Sequence, residues 1–150
     1  MELLGYPTIQ EASRTLIDEY AAKGASLEEL RADGPRFVRM VLQKNIEIEK
    51  NAPTEGTIFF DRGIPDCIAY HKLVNLTTVD IEAIGKGRYK RVFFLEQVPF
   101  VNDYARPEDE ETAAKLSALL LSAYKDLDYN VIMVPAVSVA ERVKLVLASL

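Results

Sequence analysis

The chain has 150 residues, of which 49% are hydrophobic and 27% charged, a length and composition typical of one globular domain and not of a disordered segment. Its 23 acidic residues outnumber its 18 basic ones, and the formal net charge of −5 argues against a general nucleic-acid-binding protein. A single cysteine cannot form an internal disulfide, and the longest apolar stretch, residues 131–137, is far shorter than the ~20 residues of a membrane helix. We therefore expect a cytoplasmic protein without a signal peptide that binds neither nucleic acid nor membrane.

Short β-rich runs alternate with helical segments along the first half of the chain. Ser26 and Glu29 have the spacing of a capping box, which predicts the start of a helix. Pro35 suits the first turn of a longer helix. Taken in order, the patterns predict a strand at residues 6–10, helices at 11–22, from 26 and at 35–50, and a strand at 57–60.

The second half continues this alternation. Acidic residues after Pro107 suit the positive N-terminal end of a helix dipole, and Ser138 and Glu141 again have capping-box spacing. The patterns predict helices at residues 65–74 and 79–84, a strand at 91–95, a long helix that begins at Pro107, a strand at 130–134 and a last helix through Leu147.

The order of these elements indicates the fold class. Strands that are apolar throughout, separated by amphipathic helices, are typical of a parallel sheet covered by helices on both faces. We therefore predict an α/β fold, a three-layer sandwich with a mostly parallel sheet, in a single domain over residues 1–150. In such a sheet ligands bind beyond the carboxyl ends of the strands, so the polar residues directly after each strand are the first candidates for a functional site.

Those positions hold carboxylates and arginines. Glu11 follows the first strand, with Arg14 three residues later, and Asp61, Arg62 and Asp66 follow the second. Arginine binds phosphoryl oxygens in a two-pronged fashion, and a strand-end aspartate can hold a magnesium-bound water or accept a proton from an attacking hydroxyl. The sequence thus predicts a site for phosphate groups and a divalent metal ion. Beyond the later strands the corresponding residues are Glu96, Gln97, Asn102, Asp103, Arg106, Pro135 and Ala136.

Each of these candidates also has a purely structural interpretation. Asp61 could cap the helix that follows it, and Arg62 could be a solvated surface residue. Glu11 and Arg14 are three residues apart on a predicted helix and could form a surface ion pair of little energetic weight. Arg106 could serve only to balance the acidic start of the long helix.

Three further features are interpreted as structural. The single histidine, His71, cannot make a zinc site alone, and Cys67 is expected to pack as a small hydrophobic residue. The basic loop at residues 85–91 leads into a predicted strand, so we interpret it as a turn with solvated charges.

Two motifs carry a family resemblance that extends over essentially the whole chain. The first runs from Gly5 to Arg14 and includes Glu11, and the second is Asp61-Arg62-Gly63-x-Pro65-Asp66 directly after a strand. They resemble a family of small bacterial and archaeal P-loop proteins described as AAA-type ATPases and closer in structure to nucleotide and nucleoside kinases. The resemblance implies a P-loop NTPase-like domain that transfers or hydrolyses the γ-phosphate of ATP. Its implied partners are a nucleotide and a small-molecule acceptor of unknown identity.

The resemblance also implies roles for individual residues. Asp61 would be the base or would hold magnesium through a water, and Arg62 would contact substrate or phosphate. Glu11, Arg14 and Asp66 would lie on the substrate side of the site. On the nucleotide side, Arg106 would be the arginine of a lid, and Pro135 and Ala136 would lie beside the base.

One departure from the family pattern concerns the phosphate-binding loop. No G-x-x-x-x-G-K-[ST] motif occurs in the 150 residues. We therefore expect a domain truncated at its N-terminus relative to the family, lacking roughly 25 residues that would form a strand, the loop and a helix. Mg²⁺ and ATP are then expected as cofactors only if that segment is restored, and ATP turnover by these residues alone should be negligible.

Two alternatives follow from this departure. The chain could be a non-catalytic binding or interaction module derived from the same fold, or, less favoured, an unrelated flavodoxin-like α/β domain. The absent strand would leave unpaired strand edges, which favour self-association, so a homo-oligomer is kept as an alternative.

Overall fold

The computed structural model describes residues 1–24, 26–96 and 110–150. These residues form two compact units, Met1–Ile84 and Gly85–Leu150. Each unit contains one sheet of two parallel strands with helices around it.

The first unit carries its strands far apart in sequence. After a short 3₁₀ turn, Glu2–Leu4, its elements are β1 (Thr8–Ile9), α1 (Ala12–Ala22), α2 (Leu27–Arg31), α3 (Gly34–Lys50), β2 (Phe59–Phe60), α4 (Asp66–Leu73) and α5 (Val79–Gly85), the last of which ends at the boundary of the unit. Thr8 pairs with Phe59 and Ile9 with Phe60 in parallel register.

Side-chain caps fix where two of these helices begin. The Ser26 hydroxyl accepts from the backbone N–H of Glu29, and the Glu29 carboxylate accepts from the backbone N–H of Ser26, which completes the predicted capping box. The Asp33 carboxylate accepts from the N–H of Arg36 at 2.9 Å, and Pro35 occupies the first turn of α3. Both starts agree with the sequence patterns.

The core of the first unit lies where α3 packs against α1 and α4. Lys44 on α3 lies 2.9 Å from Glu19 on α1 and 3.0 Å from Glu47 on its own helix, which joins α1 to α3. The buried apolar side chains of this core are Ala12, Leu16, Val38, Ile64, Cys67, Ile68, Ala69 and Ile81.

The second unit has longer strands. Its elements are β3 (Val92–Leu95), α6 (Glu110–Asp126), β4 (Val131–Val134) and α7 (Val139–Ala148). All four residues of β3 pair with β4 in parallel register, and α6 and α7 both pack against β4. The buried apolar side chains are Val92, Ala123, Tyr124, Leu127, Val134 and Val146. A second capping box, formed by Ser138 and Glu141, begins α7 as predicted.

The mixed α/β class is confirmed, and the elements follow the predicted order. The strands of the first unit are shorter than expected, because pairing is limited to Thr8–Ile9 and Phe59–Phe60. The described residues form two separate two-stranded sheets, so one continuous sheet in a three-layer sandwich stays a prediction, as does a single domain over residues 1–150. The predicted start of the long helix at Pro107 lies outside the described residues.

None of the helices in residues 1–24, 26–96 and 110–150 has both the length and the apolar character needed to cross a bilayer.

Candidate functional site at the tip of β1 and β2

The parallel pairing of β1 and β2 brings two predicted site segments to the same edge. The backbone N–H of Asp61 donates to the carbonyl of Ile9 at 2.8 Å, so the chain leaves both strands side by side. Glu11 follows β1 and Arg62 follows β2, and the Arg62 Nε lies 3.5 Å from the Glu11 Oε1. The Arg62 and Glu11 side chains are 34% and 22% exposed, so solvent reaches this ion pair.

Arg62 has an unusual backbone conformation. Its φ angle is 69°, in the left-handed region that glycine favours. The other described non-glycine residues with positive φ are Asn75 and Asp128, whose short polar side chains tolerate this region. Arginine has no such local compensation, so contacts elsewhere must hold Arg62 in place.

Tyr70 on α4 supplies one of those contacts. Its hydroxyl accepts a hydrogen bond from the Arg62 Nη1, and the guanidinium carbon lies 5.4 Å from the centre of the tyrosine ring. The same side chain therefore offers Arg62 both a hydrogen-bond acceptor and the electron-rich face of an aromatic ring. No role was predicted for Tyr70 from the sequence, and only the folded structure places it on Arg62.

The charge states of Arg62 and Tyr70 follow from their surroundings. Burial lowers the pKa of the Arg62 guanidinium, but the Tyr70 oxygen and the Glu11 carboxylate outweigh it and raise the pKa above its ordinary value. Burial raises the pKa of the Tyr70 phenol, against the opposite influence of Arg62. Near neutral pH the site therefore holds a permanent cation beside a neutral phenol.

Glu11 is held from its own side of the site. It is the N-cap residue of α1, and its carboxylate accepts a hydrogen bond from the Ser13 hydroxyl. Within the described residues Arg14 makes no ion pair and is exposed. The surface ion pair between Glu11 and Arg14, considered from the sequence, is replaced by the pair between Glu11 and Arg62.

Asp61 and Asp66 have different surroundings. Asp61 is exposed, and the N-cap of α4 is Pro65, so Asp61 does not cap that helix. Asp66 is 9% exposed and its Oδ2 accepts from the N–H of Gly63 at 2.9 Å, which closes the turn between β2 and α4. Asp66 thus shapes the loop that carries Arg62, whereas the Asp61 carboxylate faces solvent.

The carboxylates present suit an indirect metal contact better than a protein cage. Within the described ranges no group of three or more His, Cys, Asp or Glu side chains is arranged to hold a metal ion. Mg²⁺ commonly keeps several waters and binds through one or two carboxylates together with substrate phosphates. The single exposed carboxylate of Asp61 fits that manner of binding.

The second unit has its own arginine at the strand ends. Arg142 on α7 donates from Nε to the Pro135 carbonyl at 3.1 Å and from Nη2 to the Glu96 carbonyl at 3.4 Å. Pro135 and Ala136 are exposed. The other predicted residues of this region, Gln97, Asn102, Asp103 and Arg106, lie outside the described residues.

Two cavities lie away from the tip of β1 and β2. One of about 420 Å³ lies between α1 and α3, beside Tyr20 and Arg39, and one of about 340 Å³ lies ahead of β3, beside Lys90 and Tyr129. Neither is lined by Glu11 or Arg62.

His71 and Cys67 pack as predicted. They are 4% and 2% exposed, the His71 Nδ1 lies 2.8 Å from the Cys67 carbonyl oxygen, and Asn45 donates to the Cys67 sulfur at 3.3 Å. Burial raises the pKa of the Cys67 thiol to about 12, so this cysteine is not a reactive thiolate at neutral pH.

The pair formed by Arg62 and Glu11 lies at the carboxyl ends of two parallel strands, the edge at which open α/β sheets bind ligands. A family model described as "AAA domain" matches residues 1–142. The chain therefore belongs to this AAA domain family of P-loop NTPase-like proteins, as its motifs indicated. Searches of curated proteins and of solved structures find no match.

Proposed function

We propose that this chain is the strand-tip part of a nucleotide-kinase-like site that transfers or hydrolyses the γ-phosphate of ATP, and that the 150 residues need an added phosphate-binding loop for turnover. The observation that carries the proposal is the pair formed by Arg62 and Glu11, 3.5 Å apart at the tip of β1 and β2. A solvent-accessible guanidinium at such a tip is suited to a phosphate, because it offers several fixed donors and keeps its charge at every physiological pH.

Asp61 complements Arg62 in this proposal. Its exposed carboxylate directly precedes Arg62, at the end of β2. A carboxylate in that position can accept the proton of an attacking hydroxyl or hold a water bound to Mg²⁺. When bound, Mg²⁺ would supply charge neutralisation for the phosphates, while Asp61 would orient a water molecule or move a proton.

The remaining predicted residues belong to the same proposal. Glu11, Arg14 and Asp66 lie on the acceptor side, with Glu11 and Asp66 acting through the position of Arg62. Arg106, Pro135 and Ala136 are proposed for the nucleotide side, in a three-layer arrangement of one continuous sheet. The acceptor is a small molecule or water, and the proposed location is the cytoplasm.

Nucleotide binding by the 150 residues is limited because their sequence lacks the phosphate-binding loop motif. Their sequence contains no G-x-x-x-x-G-K-[ST], and that motif provides the backbone N–H groups and the lysine that hold the β- and γ-phosphates. We therefore expect nucleotide binding by the 150 residues to be weak and turnover to be negligible.

A non-catalytic binding module is the second candidate. It is favoured by the partial neutralisation of Arg62, because a guanidinium already paired with Glu11 can serve to join β1 to the following loop. In that case Arg62 contributes to stability and binds no nucleotide.

Thermal unfolding with and without Mg·ATP distinguishes the two candidates. We expect millimolar Mg·ATP to raise the Tm of the wild-type chain and of Asp61→Asn, but not that of Arg62→Gln. Arg91→Gln is the matched control, since the exposed Arg91 donates only to the backbone carbonyls of Ser149 and Lys90 among the described residues, and it should respond as the wild type does. If Mg·ATP stabilises neither the wild type nor the control, the binding-module candidate is favoured.

Turnover is tested in a chain extended upstream by a segment that carries a Gly-Lys-Ser/Thr phosphate loop. There Asp61→Asn should lower ATP turnover much more than ATP affinity, because a base or water-holding residue acts on the reaction and not on the bound triphosphate. Unchanged turnover would remove Asp61 from the chemistry.

A further inference from the structure

The left-handed conformation of Arg62 requires an explanation. At a φ of 69°, a residue such as arginine is less stable than in the ordinary regions, and such residues persist where surrounding contacts determine their conformation. The conformation is set within a tight turn, since Asp66 binds the N–H of Gly63 directly after Arg62. This turn places the Arg62 side chain between α1 and α4.

Two neighbouring side chains contact particular nitrogen atoms of the Arg62 guanidinium. The Glu11 Oε1 lies 3.5 Å from Nε, and the Tyr70 hydroxyl accepts from Nη1. Within the described residues no hydrogen bond from Nη2 is found, and 34% of the Arg62 side chain is exposed. One nitrogen of the fork thus remains for a ligand, and the other two fix its position.

The two neighbours differ in what they do to the charge of Arg62. Glu11 forms an ion pair with the guanidinium and so offsets part of its charge. Tyr70 stays neutral, because burial raises the pKa of its phenol, so it orients the guanidinium without reducing its attraction for an anion. The guanidinium carbon also lies 5.4 Å from the centre of the ring, within the range of a cation–π contact.

We propose that Tyr70 is a positioning residue that holds the Arg62 guanidinium so that Nη2 is available to an oxygen of a phosphate ligand. The inference rests on the proposed phosphate-binding role of Arg62 and adds to it the residue that orders the arginine before ligand arrives. A pre-ordered arginine loses less side-chain entropy on binding, so a contact of the same chemistry binds more tightly.

The experiment separates the two parts of the tyrosine. Tyr70→Phe keeps the ring and removes the acceptor, and Tyr70→Leu removes both. Sodium pyrophosphate serves as the probe, titrated at constant ionic strength into ¹⁵N-labelled full chain, with the Arg62 Nε–Hε signal and the backbone signals of residues 59–70 as readouts.

We expect pyrophosphate to bind the wild type and to shift the Arg62 signal. Tyr70→Phe should weaken binding about three- to tenfold, the size of the net effect of one ordinary hydrogen bond, because the variant loses the order of Arg62 and not a direct bond to the ligand. It should also speed the exchange of the Arg62 Hε with water. Tyr70→Leu should approach Arg62→Gln, which should show no saturable binding, and Arg91→Gln should bind like the wild type.

The outcomes distinguish failure of this inference from failure of the proposed function. If Arg62→Gln loses binding while Tyr70→Phe and Tyr70→Leu bind like the wild type, Tyr70 is not a positioning residue and the phosphate role of Arg62 stands. The inference also fails if Tyr70→Phe weakens binding but leaves the Arg62 signal unchanged. If Arg62→Gln binds like the wild type, or the wild type does not bind, the proposed role of Arg62 is wrong and the inference fails with it. Should Tyr70→Leu not fold, Tyr70→Phe decides alone, because it preserves the ring packing.

Discussion

Both compact units place an arginine at the carboxyl ends of a parallel strand pair, but the two arginines are bound differently. Arg62 in Met1–Ile84 is held by the side chains of Glu11 and Tyr70. Arg142 in Gly85–Leu150 donates to the backbone carbonyls of Pro135 and Glu96. Backbone carbonyls are present whatever the side chains are, so Arg142 joins two loops and needs no particular partner residue.

The partners of Arg62, by contrast, are specific residues whose ionisation or hydroxyl group matters. Arg62 and Arg142 both lie at strand tips, so this position alone does not identify a ligand-binding arginine. The nature of the group that holds it is the better guide, because an arginine held by side chains can exchange one partner for an anion. Among the described residues, the strand-tip arginine held by side chains therefore belongs to the first unit, whose strands are the shorter ones.

The largest expected effect on the free energy of unfolding comes from core substitutions, which test whether the two units are stabilised separately. Ile68 and Val134 are 2% and 1% exposed. Ile68→Ala should lower the free energy of unfolding by about 2–5 kcal/mol, and Val134→Ala by about 2 kcal/mol. Native-state hydrogen exchange followed by mass spectrometry should show lost protection in residues 1–84 for the first variant and in residues 85–150 for the second.

Matched substitutions at exposed positions control for this experiment. Leu3 and Val139 are 103% and 78% exposed, so Leu3→Ala and Val139→Ala should change the stability by less than about 0.5 kcal/mol. Equal loss of protection in both units from either core variant would mean that the chain unfolds as one cooperative unit, and the comparison between units would then not apply to stability.

Removing the N-cap serine of either capping box should have a smaller effect on stability, and the effect should differ between the two units. Replacing an N-cap serine by alanine typically costs about 1 kcal/mol of helix stability. The short helix α2 contains no buried residue, whereas α7 buries Val146. Ser138→Ala should therefore lower the stability of the second unit by about 1 kcal/mol, while Ser26→Ala should release α2 locally and leave the denaturation midpoint nearly unchanged.

Circular dichroism during urea denaturation measures the midpoint, and hydrogen exchange measures the local opening of α2. Ser26→Asp and Ser138→Asp keep a capping oxygen and should restore most of each loss. An equal shift of the midpoint from Ser26→Ala and Ser138→Ala would contradict the different roles assigned to the two helices.

The helix starts could be predicted because their determinants are local. Ser26 with Glu29, and Ser138 with Glu141, lie within four residues of each other, and the structure forms both capping boxes. The ends of β1 were less predictable. Pro7 has no N–H to donate, and Glu11 already begins the next helix as its N-cap, so pairing is restricted to Thr8–Ile9.

The site was predictable only in part, because some of its features depend on packing and not on local sequence. Because parallel strands end at the same edge, the sequence could indicate that Glu11 and Arg62 are candidates for one site, and the structure places them 3.5 Å apart. It could not indicate the left-handed backbone of Arg62 or its contact with Tyr70, since both depend on how α4 packs. A tyrosine four residues after the turn-closing Asp66, and so on the same face of α4, is the one signal that was available.

The smallest effect concerns pH and also belongs to the first unit, because His71 is the single histidine of the chain. Its Nδ1 lies 2.8 Å from a carbonyl oxygen, which can only accept, so Nδ1 carries the proton of the neutral ring. Burial lowers the pKa of His71 below its ordinary value of 6.5, against the opposite influence of the hydrogen bond with the Cys67 carbonyl and with a smaller lowering by the positive charge of Arg39. Between the folded and unfolded pKa values the unfolded chain binds more protons, so the free energy of unfolding falls as the pH drops below about 6.5.

The slope cannot exceed about 1.4 kcal/mol per pH unit, the limit for one proton. Urea denaturation at pH 7, 6 and 5 should show this loss for the wild type, and His71→Gln, which cannot titrate, should flatten the profile over that interval. Hydrogen exchange corrected for its intrinsic pH dependence should place the loss in residues 1–84 and spare residues 85–150, which contain no histidine. An unchanged slope in His71→Gln would show that carboxylates and not His71 govern the acid response, and the contrast between the two units would then be one of arginine partners and strand length alone.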